Sequence, residues 1–178
     1  LIREAQRLEQ GGVLELSLIA QDLSAFGQDL GLKDGLLALL RDLLAHTAIP
    51  WFRLLYLYPT GISDALLQLM QEQPRILPYL DVPMQHVSDS VLRAMGRRYQ
   101  RSQLEALVGR VRTALPECAL RTTFMGGFPG ESEADAGELV AAIRDWRLDH
   151  VGVFAYQDES GCAASQLAGK LSEEIKEE

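Results

Sequence analysis

The chain has 178 residues, 47% of them hydrophobic and 24% charged, which is enough apolar material for a real core and excludes a disordered segment. A net charge of −8 leaves no evident basic stripe for gripping nucleic-acid phosphates. Apolar runs stop short of the roughly 18 residues a membrane span needs, no export signal opens the chain, and two cysteines, Cys118 and Cys162, are too few for a disulfide framework and fit a reducing cytoplasm.

The chain opens inside an apparent helix with Ile2, Ala5 and Leu8 on one face, as expected of a piece that starts within a longer protein. Gly11-Gly12 is a natural stop for that helix. Five short apolar runs then read as strands: Val13–Ala20, Trp51–Tyr58, Leu77–Met84, Ala119–Gly127 and His150–Tyr156. Between them lie stripes at helical spacing. The first holds Leu36, Leu37, Leu40, Leu43 and Leu44, and the second Leu66, Leu67 and Met70 behind Ser63 as N-cap. The third holds Leu104, Leu107, Val108, Val111 and Leu115, with Ser102 and Glu105 as a capping box. Leu139, Val140, Ile143 and Trp146 form the fourth, opened by Ser132 and Asp135. Arg93, Arg97, Arg98 and Arg101 read as a solvated loop and helix face or as a docking patch for an acidic or RNA-rich partner. Leu171 to Glu178 reads as a charged helical tail.

Helix and strand alternating throughout imply an α/β fold with parallel strands and outer helices joined by right-handed crossovers. Periodicity leaves an open doubly wound sheet and part of a barrel both possible. In either, ligands gather at the carboxyl ends of the strands. Polar residues cluster there: Gln21-Asp22, Tyr58-Pro59-Thr60, Gln85-His86, and Gly126-Gly127-Phe128-Pro129-Gly130-Glu131. The glycines of the last group would allow close backbone approach, and the helix after them would offer free N–H groups to an anion. A tight turn without a ligand explains the same residues. His46, His86 and His150 share no metal-ligand spacing. Asp22, Asp81 and Glu131 could serve in acid–base work, but capping and turn formation are the commoner roles of such residues.

Five segments in order resemble the radical S-adenosylmethionine (SAM) methylthiotransferases: Ile19 to Asp22, Leu54 to Pro59, Tyr79 to His86, Leu120 to Glu131 and Gly152 to Tyr156. Gln85-His86, Arg121 to Phe124 and Gly152 to Phe154 look like the RimO branch, which methylthiolates an aspartate of a small-subunit ribosomal protein. A transfer-RNA methylthiotransferase is the sister reading, and a cluster-less barrel used as a binding module is a third. The resemblance implies a partial (β/α)6 barrel whose second to sixth strands occupy residues 1–170, with the tail at 171–178 leading to a further domain. The first strand and the cysteine motif for a [4Fe–4S] cluster would lie outside the chain, so neither metal ligands nor catalytic side chains are expected within it.

The resemblance further implies SAM contacts. Gln21 would touch the methionine moiety, and Gln85 the ribose or methionine part. Arg121, pointing inward by alternation, would pair with the SAM carboxylate. Met125, Gly126 and Gly127 would pack on adenine, although Met125-Gly126 stands where most members have Ile-Val. The implied partners are the ribosomal substrate and a reductase or other electron donor, with no membrane.

Overall fold

The computed structural model describes residues 1–177. Its elements are α1 (Ile2–Gln10), β1 (Glu15–Leu18), α2 (Gly35–His46), β2 (Trp51–Leu54), α3 (Asp64–Glu72), β3 (Ile76–Asp81), α4 (Asp89–Ala94), α5 (Arg101–Ala114), β4 (Ala119–Gly126), α6 (Glu133–Asp145), β5 (His150–Ala155) and α7 (Glu173–Glu177). The strands form one sheet in chain order, β1-β2-β3-β4-β5. The β1–β2, β2–β3 and β4–β5 pairings are parallel, as the helix–strand alternation requires. The chain divides into two compact units, residues 1–82 with 109–120, and residues 83–108 with 121 onward.

In the first unit, period-two alternation sorts each strand into two faces. Ala5 of α1 and Leu43 of α2 close over Phe52 and Ile49, with Leu16 and Leu18 packed against them. The opposite face carries charge: Arg53 donates to both carboxylate oxygens of Glu15, at 2.6 and 3.2 Å, and lies 4.7 Å from the Tyr79 ring centre. Register slips between Phe52–Ile76 and Leu54–Leu80, at the point where Pro78 interrupts β3. Arg75 closes the end of α2, donating to the carbonyls of Leu44, Thr47 and Ile49 at 2.9, 2.7 and 2.8 Å. Ser63 caps α3 by accepting the Leu66 N–H, as its position predicts.

The second unit holds α4, β4, α6, β5 and α7 around Val91, Phe128 and Tyr156, with Met95, Met125, Ala164 and Leu167 against them. Ser132 and Asp135 form the expected capping box of α6. The box expected at Ser102 and Glu105 is absent. Helix α5 begins at Arg101, so Ser102 lies inside the first turn; Gln103 Oε1 instead accepts the Gln100 N–H at 2.9 Å, and Glu105 pairs with Arg101. Helix α4 replaces part of an expected loop; its six residues are too few for a periodic signal. The tail helix begins at Glu173 rather than Leu171, and residue 178 lies outside the described residues.

Candidate functional site

Strands β2, β3 and β4 each run into a residue with left-handed backbone: Tyr56 (φ 56), Gln85 (φ 67) and Gly127 (φ 72). Glycine adopts this region freely, but for tyrosine and glutamine it costs on the order of 1 kcal/mol or more. At Gln85 the cause is visible. The His86 N–H bonds back to the Met84 carbonyl at 2.8 Å, so Gln85 is the centre of a γ-turn of the strained, positive-φ kind. The turn is pinned on both sides. Gln85 N–H donates to Thr123 O at 2.9 Å, and Met125 N–H donates to Gln85 O at 2.8 Å. Thr122 Oγ1 accepts the Met84 N–H at 3.1 Å, and the Tyr99 hydroxyl donates to Met84 O at 2.9 Å.

Beside this turn, β4 runs into the glycine-rich loop 126–131. Its backbone is already bonded within the protein. Phe128 N–H donates to Glu131 Oε2 at 2.9 Å, Gly130 N–H to Gly169 O at 3.0 Å, and Glu131 N–H to Phe128 O at 2.9 Å. The α6 capping box takes the N–H groups of Ser132 and Asp135. The helix start is therefore self-capped, and the sequence expectation that it would offer free N–H groups to an anion is corrected at these positions. Asp135 is the acceptor hub. Ser132 and Ser88 hydroxyls, then the Ser132 N–H and Ser90, hold its carboxyl down at about 2.

The two adjacent glycines serve different neighbours. A Cβ on Gly127 would lie 2.6 Å from Lys176 Cγ, so this glycine makes room for the stem of a lysine from α7. That lysine donates to Tyr156 O at 3.0 Å and to Glu173 at 2.7 Å. A Cβ on Gly126 would meet nothing within 4 Å. Open space at the end of β4 is thus beside Gly126, with half-buried Met125 next to it.

Below the loop, the His86 side chain is fully buried. Its Nδ1 accepts the Ser88 N–H at 2.9 Å, so the ring proton sits on Nε2. Nε2 stands 3.3 Å from Oε1 of Glu131, whose residue is 8% exposed. The two atoms approach closely but lack hydrogen-bond alignment, and no hydrogen-bond partner among the described residues reaches Nε2.

Of the residues implied by resemblance, the second unit brings Gln85, Met125, Gly126 and Gly127 together at the end of β4. Arg121 is the third of the eight residues of β4, exposed and in register with His150. That puts it roughly 16 Å from Gly126 at a strand's rise per residue. Gln21 belongs to the first unit. It is exposed at the bend after β1, next to Asp22, whose carboxylate caps the turn Leu23–Ala25. The sequence signal alone did not reveal Lys176 or Tyr156 as loop partners: both are distant in the chain, Lys176 lies in no motif, and the segment ending at Tyr156 does not say what it packs against. Among the described residues no three His, Cys, Asp or Glu side chains gather to hold a metal ion, and no helix is long and apolar enough to cross a membrane. Cys118 is buried and Cys162 exposed.

No family model matches the chain. It is 51% identical over 177 residues to the ribosomal protein uS12 methylthiotransferase RimO of Desulfotalea psychrophila, covering 99% of this chain and 40% of that protein. The RimO of Citrifermentans bemidjiense is 43% identical over 178 residues, again with 40% of its length covered. The chain thus spans about two fifths of the length of these relatives. Among solved structures, coproporphyrinogen III oxidase (HemN) of Escherichia coli, described as a radical SAM enzyme, shares the fold. Its TM-score is 0.65 at 17% identity, over 82% of this chain and 34% of that one. The radical SAM methyltransferase TsrM of Kitasatospora setae, with cobalamin and a [4Fe–4S] cluster bound, gives 0.66 at 18% identity, over 86% of this chain and 30% of that one. The fold is therefore shared with these solved chains, and the chain is similar along its whole length to the RimO proteins.

Proposed function

We propose that this relative of the RimO proteins is the SAM-holding barrel of a radical SAM methylthiotransferase. In this reading the complete protein adds a methylthio group to an aspartate of ribosomal protein uS12, in the cytoplasm and with a reductase as electron donor. The observation that carries the reading is the end-to-end similarity, 51% over 177 residues, to a protein named for this activity. The relatives above carry the uS12 name, and no feature of the chain favours a transfer-RNA substrate instead.

The residues present fit SAM. Room for a Cβ beside Gly126, half-buried Met125 next to it and the left-handed turn at Gln85 beside β4 support a ligand at this strand end. They do not fit a [4Fe–4S] cluster: among the described residues no ligand set exists, and of the two free cysteines one is buried and the other exposed. Cluster ligands would have to come from the part of the protein that its relatives have beyond this stretch. When bound and cleaved, SAM supplies the hydrogen-abstracting radical and, from a second molecule, the methyl group. The chain's own task is orientation. Met125 and Gly126 would receive adenine, Gly127 would fix the loop behind it, and Gln85 would present its amide to the ribose or methionine part.

The test is iron, sulfide and visible spectrum of the full-length protein reconstituted without oxygen, followed by incubation with uS12, SAM and reductant. Clusters whose spectrum shifts with SAM, and a uS12 mass gain of one methylthio group, are the expected results. A protein without a cluster, or one that modifies transfer RNA and leaves uS12 unchanged, overturns the proposal.

A further inference from the structure

The buried pair of His86 and Glu131 has no part in the contacts assigned above. Burying two ionisable side chains at the end of a strand is a costly way to pack a core, since apolar residues of the same volume would fill it at least as well. Geometry shows what the pair does. The Ser88 N–H occupies Nδ1 of His86, which leaves the only ring proton on Nε2, turned toward Glu131 Oε1 at 3.3 Å. The other carboxylate oxygen of Glu131 holds the Phe128 N–H at 2.9 Å. Phe128 lies between Gly127 and Gly130, both with positive φ, and its ring meets Tyr156 edge-on at 5.2 Å. The carboxylate is therefore a strut with one end on the imidazole and the other on the middle of the loop.

We propose that His86 is a positioning residue that acts through Glu131 to hold the 126–130 loop in the shape that receives SAM. This deepens the functional reading above and rests on it. The ring does not touch the ligand. It fixes the carboxylate, the carboxylate fixes Phe128, and the open space at Gly126 keeps its width. Loss of the strut leaves the strands intact and lets the loop relax.

Two near-isosteric variants of the full-length, cluster-reconstituted protein separate this from a plain packing role. In H86Q the amide nitrogen occupies the place of Nε2 and still faces Glu131 Oε1, while the Ser88 N–H loses its acceptor. In H86N the amide oxygen occupies the place of Nδ1 and keeps the Ser88 N–H, while Glu131 Oε1 loses the N–H that faces it. H86Q forfeits the buried Ser88 hydrogen bond and H86N the close approach of an N–H to Glu131 Oε1, so both unfolding midpoints fall. Their SAM affinities differ: H86Q stays within about threefold of the unchanged protein, and H86N weakens about tenfold, with the loss in KM for SAM rather than in kcat. E131Q weakens binding as H86N does. The double variant H86Q/E131Q recovers part of it, because two amides can pair where an imidazole N–H and an amide N–H cannot. Equal SAM affinity for H86Q and H86N, or additive losses in the double variant, overturns the proposal. If the unchanged protein does not bind SAM at all, the functional reading fails first and this inference falls with it.

Discussion

Gly126 and Gly127 are neighbours with opposite reasons for lacking a side chain. Gly127 combines φ 72 with a lysine stem where its Cβ would be. Gly127→Ala is therefore expected to lower stability by about 1–2 kcal/mol, the cost of a left-handed alanine plus displacement of Lys176, read as a lower thermal midpoint. Gly126 has room for a Cβ. Gly126→Val leaves the midpoint within about 0.5 kcal/mol of its starting value but changes SAM affinity on the order of tenfold, because the added methyl groups occupy the space assigned to the ligand. Matching effects of the two substitutions on stability and on binding would contradict this division.

Helix α6 shows how an element start becomes a pH-dependent joint. Asp135 accepts from Ser132, Ser88 and Ser90, so the start of α6 is tied to the segment that opens α4. Its carboxyl is depressed from 3.8 to about 2. A depressed carboxyl stabilises the fold above the unfolded-state value and loses that contribution as pH falls through the folded one. Stability should decline by up to about 2 kcal/mol between pH 4 and pH 2. Asp135→Asn should lack that step in a denaturant titration across this range, while a step of the same size in the variant would rule Asp135 out as its source.

At this scale much of the architecture was legible. The apolar runs marked all five strands, and Ser63 and Ser132 announced two helix starts, because period and capping chemistry are local properties. The strand tips were not legible. Residues 55–58 are as apolar and aromatic as β2 itself, yet Leu57 N–H bonds to Asp81 O and Tyr56 turns left-handed. The γ-turn at Gln85 was equally hidden, since it is imposed by the Thr123 and Met125 ladder and not by glutamine's own preference. His86 and Glu131 were visible as candidates, but their pairing arises only when the end of β3 and the loop after β4 are brought together.

In the whole molecule, the strand order begins at β1 and ends at β5, so each has one side with no strand beside it among the described residues. Leu14 and Ile19 flank β1 with 61% and 62% exposure, and β5 exposes Val153 and Phe154 at 59% and 62%. Unpaired edges bearing large apolar side chains invite pairing with other chains. The 178-residue chain alone is expected to associate as its concentration rises in sedimentation velocity, and the full-length protein to do so far less. A chain that stays monomeric across the same range would show that these edges are already protected.

The loop at 126–131 is finished by residues made much later. Gly169 supplies the acceptor for Gly130, and Lys176 lies along Gly127. On a translating ribosome the glycine-rich turn emerges first and waits, without these partners, until the end of this stretch has cleared the exit tunnel. The fold thus orders its own assembly: this loop acquires its last backbone bond and its packing only after Gly169 and Lys176 have been synthesised.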